Sequence, residues 1–148
     1  MGDWNFCSKI PFEYSESYFI DETKQEIFES EVIQIAASGP DSKYPVIFYS
    51  VLEAINSAKE TIYITSPYFI PDESLMDALI IEIQGGLDVK ILIPDISDSK
   101  LVNAAANAYY TELLKIGAKI YRYNKGFVHA KTMVIDDDVA MVGSAKMD

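Results

Sequence analysis

The chain has one cysteine, one histidine and no long apolar run, and each scarcity removes a class of function. Cys7 alone supports neither an internal disulfide framework nor a thiolate metal cluster. His129 is the only imidazole, which makes a histidine-based zinc site equally unsuitable. A membrane-spanning helix needs about 18 uncharged apolar residues, and no stretch approaches that length. Nor does the N-terminus carry a basic-then-apolar leader, so these residues are expected to be a soluble piece. Cations are also scarce. Twelve Lys and Arg face 23 Asp and Glu, a net charge of −11, which argues against a nucleic-acid partner because phosphate backbones are gripped by clustered cations.

What is present is enough for one globular domain: 148 residues, 49% hydrophobic and 24% charged. The charge is unevenly spread. Residues 1–31 hold eight acids against Lys9 and Lys24, whereas residues 113–135 hold Lys115, Lys119, Arg122, Lys125 and Lys131 with no acid. An anionic substrate needs such a positive stretch; a solvated helix end and strand edge would produce the same pattern.

Periodicity orders the chain. Residues 1–30 are acidic and aromatic without a clean period and read as a connector. Glu31–Ala37 alternates like a strand, and Ser38-Gly39-Pro40-Asp41 breaks it. Phe48, Val51, Leu52 and Ile55 mark a helix within 44–59, and Thr61–Ser66 a strand ended by Pro67, so a parallel pair joined by a crossover is expected here. Asp72 is placed to cap a helix with a Leu75, Leu79, Ile83 stripe that stops at Gly85-Gly86. Asp88–Ile93 reads as a strand, 100–116 as an alanine-rich helix ending at Gly117, and Ala118–Tyr123 as a further strand. Val128–Ile135 and Val139–Val142, separated by three aspartates, read as a hairpin. The order predicts an α/β sandwich with a central mixed sheet flanked by helices.

The chemistry is concentrated in that hairpin. On an extended strand alternate residues share a side, so His129 and Lys131 project together. Imidazole can exchange a proton or attack at neutral pH, and a lysine beside it supplies a counter-charge for a phosphate oxygen. Gly143 allows close backbone approach, and Ser144 offers a hydroxyl. A lone histidine in a strand is more often packed or solvated than catalytic. Here, however, His129, Lys131 and Asp136 are followed after six residues by Gly143-Ser144. This pattern resembles the HxKxxxxD...GS signature of the phospholipase D superfamily, the HKD enzymes. Ser66-Pro67-Tyr68-Phe69-Ile70-Pro71-Asp72-Glu73 resembles the TPYFxPDE segment of bacterial cardiolipin synthases. The runs Tyr109–Tyr121 and Gly126–Met133 are similar to those leading into that family's second HKD motif.

The resemblance covers roughly 38–148 and implies the following expectations. Residues 1–30 would connect to a missing preceding half, and 31–148 would be an HKD domain truncated at its C-terminus. The whole protein would be a cardiolipin synthase of the bacterial cytoplasmic membrane. It would join two phosphatidylglycerols through a phosphohistidine and release glycerol, with neither metal nor cofactor. The preceding HKD half, or a homodimer partner, would supply a second histidine, and the isolated chain would be inactive. His129, Lys131 and Asp136 would be catalytic, although the position of Asp136 in the turn fits fixing that turn at least as well. Gly143, Ser144, Tyr68 and Lys146 would contact substrate. Tyr68 follows a strand's C-terminal end, where α/β sheets bind ligands, but its segment could equally be a packed plug. Lys146 stands where the family continues with Asn, placing a cation where a neutral amide would lie. Two alternatives remain open: a single-motif HKD phosphodiesterase or endonuclease working as a homodimer, and a non-catalytic HKD-like domain.

Overall fold

A computed structural model describes Ser15 and residues 32–39, 42–95 and 100–144, with backbone alone for 100–104. The chain divides into Met1–Gln34 and Ile35–Asp148, and the elements below belong to the second unit. They run α1 (Val46–Asn56), β1 (Thr61–Thr65), α2 (Glu73–Gln84), β2 (Asp88–Pro94), α3 (Lys100–Ile116), β3 (Lys119–Tyr123), β4 (Thr132–Ile135) and β5 (Val139–Val142).

The strands form one five-stranded mixed sheet in the order β3-β2-β1-β4-β5. β1, β2 and β3 are parallel neighbours, while β4 runs antiparallel to both β1 and β5. The two parallel steps use α2 and α3 as crossovers, and right-handed crossovers that advance in one direction place their helices on one face. In agreement, α1 packs on α2 and α2 on α3. The core lies beneath that helical layer. Ile62 and Ile64 of β1, Val89, Ile91 and Ile93 of β2, and Met133 and Ile135 of β4 alternate into it, where they meet Ile55, Leu79 and Leu113. The intervening residues, among them Tyr63, Lys90, Leu92 and Val134, look to the other face and are half-buried. On that face Lys90 donates to the Tyr63 hydroxyl at 2.9 Å and pairs with Asp88 at 3.0 Å, and Lys119 pairs with Asp88 at 2.7 Å. The Tyr63 hydroxyl, then Asp88, holds the Lys90 ammonium above the ordinary lysine value.

Local signals set most of these bounds. The Asp72 carboxylate accepts the Leu75 N–H at 2.9 Å, satisfying one of the orphan donors at the start of α2. α3 spans the range that its composition predicts and stops before Gly117.

Two expectations fail. No strand forms in the described part of Glu31–Ala37: residues 32–37 carry no regular structure, and Val32 is 99% exposed. Alternation supplies a strand's faces but not the neighbouring strand whose N–H and C=O groups complete it. The parallel pair assigned to that region is formed instead by β1, α2 and β2. The hairpin is also shorter than expected, because β4 begins at Thr132 and leaves His129 to Lys131 ahead of the ladder. Residues 1–14 and 16–31 of the proposed connector lie outside the described residues.

Candidate active site

Strand order decides where the reactive residues gather. Thr65 at the end of β1 pairs with Thr132 at the start of β4, which pairs with Val142 at the end of β5. The segments after β1, before β4 and after β5 therefore meet at one edge of the sheet, at the C-terminal ends of the parallel strands.

His129 and Lys131 sit at this edge. The Lys131 Nζ lies 3.4 Å from both ring nitrogens of His129 and donates to the His129 carbonyl oxygen at 3.2 Å. The ring contacts are longer than a good N–H donor bond, so the ammonium stands beside the imidazole without being committed to it. The two side chains thus share one side, as alternation predicted, even though no ladder holds them. The Gly143 N–H donates to the Lys131 carbonyl at 3.1 Å, tying the Gly143-Ser144 turn to the lysine backbone. Lys146 lies outside the described residues.

Two aromatic rings bracket the imidazole. Tyr68 approaches edge-on with centroids 6.5 Å apart, and Phe127 is stacked at 5.8 Å with 27° between planes. Tyr68 is delivered by a rigid turn. Ser66, 1% exposed, donates its hydroxyl to the Tyr68 carbonyl at 2.6 Å, and Phe69 is fully buried and stacks on Tyr110. The segment after β1 is therefore both a plug of the sheet and one wall of the site. Sequence reasoning missed Phe127, yet the signal was there: it stands two residues before His129, on the same side of an extended chain.

Asp136 is not brought to this cluster. It follows β4 at the opposite end, five residues beyond Lys131, or about 16 Å along an extended strand. Its carboxylate accepts three backbone N–H groups, from Lys59 at 2.7 Å, Glu60 at 2.9 Å and Thr61 at 2.8 Å. Its own N–H donates to the Thr61 carbonyl and hydroxyl oxygens, both at 3.2 Å. The Thr61 N–H, assisted by those of Glu60 and Lys59, holds the carboxyl below its ordinary value of 3.8, against an opposing contribution from burial. Asp136 and Asp137 adopt positive φ of 53° and 57°, a conformation that Asp tolerates better than most residues. The aspartate clamps the β4–β5 turn to the loop before β1.

Chemically, the edge offers a proton-transferring or nucleophilic nitrogen, an adjacent ammonium and a small-residue turn. The mixed five-stranded sheet that carries this edge has a phospholipase D-like fold. A solved phospholipase D family member, Nuc from Salmonella typhimurium, superimposes with a TM-score of 0.57 at 27% identity, covering 68% of this chain and 64% of that one. NucT from Helicobacter pylori shares the fold at a TM-score of 0.52 and 19% identity, covering 68% of this chain and 67% of its own.

Sequence similarity is more specific. The family model described as cardiolipin synthase, PLD-like domain, matches residues 51–148, and the chain belongs to that family. Cardiolipin synthase 2 of Staphylococcus epidermidis is 45% identical over 147 residues, and cardiolipin synthase of Listeria monocytogenes 43% identical over 150. In both, the match covers 99% of this chain and 30% of the relative, so the chain spans under a third of their length.

Proposed function

We propose that this domain is one half of a phosphatidyltransferase that makes cardiolipin. A histidine nitrogen attacks the phosphorus of one phosphatidylglycerol. The bond from phosphorus to the headgroup glycerol oxygen breaks, and glycerol leaves with a proton from a second histidine. That second histidine, now basic, deprotonates the headgroup hydroxyl of another phosphatidylglycerol, which attacks the phosphohistidine to give cardiolipin and restore the free imidazole. Lys131 and the Gly143-Ser144 turn hold the phosphate oxygens as charge develops on them. Since His129 is the only histidine of these residues, the second comes from another HKD half or a second copy of the chain. We assign His129 the acid/base role and its partner the nucleophilic one.

The observation that carries this reading is the meeting of His129, Lys131 and Gly143 at one edge of the sheet. Identity of 43–45% to cardiolipin synthases supports the substrate class. A thin-layer transfer assay on phosphatidylglycerol, run beside a plasmid-cleavage assay, tests it. The full-length protein should form cardiolipin and leave DNA intact, and the 148-residue chain alone should do neither. DNA cleavage without lipid transfer would favour the homodimeric phosphodiesterase.

A further inference from the structure

The two lips of the site are built differently. The lip after β1 is packed down, with Ser66, Pro67, Phe69 and Pro71 all buried. The lip made by the end of β3 and the connection toward β4 is open, and every residue from 121 to 127 (Tyr-Arg-Tyr-Asn-Lys-Gly-Phe) is exposed. Tyr121 is 50%, Phe127 49% and Tyr123 39% exposed, so three rings lie open within seven residues. Gly126 at φ 149° turns the chain so that Phe127 returns to stack on His129. No acid occurs in the run, although the chain as a whole carries −11. Among the described residues, Arg122 meets the Asp95 carboxylate at 3.8 Å, a long and solvated contact.

From this juxtaposition we propose that residues 121–127 form a docking tongue that rests on the surface of an anionic phospholipid bilayer and sets His129 at the depth of the lipid phosphates. Tyrosine suits that layer because its ring enters the apolar boundary while its hydroxyl stays wet. Arg122 and Lys125 meet the anionic headgroups, each contributing about a fivefold gain in binding near such a surface. Charge complementarity selects the occupant: a net-acidic domain turns its acid-free stretch toward an anionic sheet of lipid. The inference rests on the phosphatidyltransferase reading for the choice of lipid over other phosphodiesters. Its test does not depend on turnover.

The experiment is flotation of the 148-residue chain with vesicles of phosphatidylglycerol and phosphatidylcholine in equal parts, and with pure phosphatidylcholine. The chain should float with the anionic vesicles and not with the neutral ones, and added salt should release it. Arg122→Glu with Lys125→Glu should lower the bound fraction at least tenfold, and Tyr121→Ser with Tyr123→Ser should lower it severalfold. These side chains are exposed, and unchanged far-ultraviolet circular dichroism would establish that the variants fold. Equal binding to both vesicle types, anionic binding that ignores the tongue variants, or tongue-dependent binding of a single-stranded oligonucleotide without vesicle binding would each overturn the proposal. Anionic binding by a full-length protein that makes no cardiolipin would leave the tongue standing and sink the transferase reading.

Discussion

The two ends of β4 carry the same motif and do opposite things. At one end Asp136 has three short N–H bonds to its carboxylate, and its side chain joins two loops far apart in sequence. At the other, His129 and Lys131 are held by 3.2–3.4 Å contacts to each other and remain largely reachable. A carboxylate saturated by the backbone has little capacity left for a substrate, whereas a histidine and lysine with unspent donors and acceptors have a great deal. Spacing in the motif therefore measures the length of a strand, with the histidine–lysine pair at its start and a clamp at its finish.

The largest effect that sharpens this contrast should come from the reactive end. In the full-length protein, His129→Ala should reduce transfer by about 10²–10⁴-fold while leaving the unfolding temperature unchanged. A large fall in stability with it would place His129 among the packed residues instead. Next is the frame behind Tyr68. Phe69→Ala empties a fully buried site and should cost about 3–5 kcal/mol, measured by urea unfolding of the chain.

A smaller effect should follow at the imidazole's neighbour. Phe127→Leu should lower kcat about tenfold, as a displaced catalytic group does, with KM and stability little altered. Phe127→Tyr should restore kcat by restoring the stack, and failure of that rescue would mean that the ring does not orient His129. The smallest effect is a pH dependence at the clamp. Because the folded Asp136 carboxyl titrates below 3.8, its contribution to stability is fully present above that value and disappears as pH falls through the lowered one. The stability gap between wild type and Asp136→Asn should therefore be widest above pH 3.8 and close under stronger acid, as read from urea midpoints across the range.

The same division explains what the sequence made legible. Caps, stripes and alternation located α2, α3, β1, β2 and β5 closely because those signals are local, as with Asp72 under Leu75. The supposed strand at 31–37 misled because its faces alternate while nothing in a single segment names its ladder partner. His129, Lys131 and Gly143 were legible as a group through motif spacing. Phe127 was overlooked, although its place two residues before His129 puts it on the same side of an extended chain. The Asp136 tie to Lys59, Glu60 and Thr61 was invisible, since it joins residues 75–77 positions apart through backbone groups that every sequence has.

The proposed transferase divides the motif between an Asp136 that holds the fold and a His129 that performs chemistry, and that division can be tested. Its most direct test is the cardiolipin-forming rate of full-length Asp136→Asn per folded molecule, measured at a temperature where circular dichroism reports it fully folded. A rate close to wild type is the expected result. A loss as deep as that of His129→Ala, in protein that remains folded, would put Asp136 in the reaction and contradict the separation of the two ends.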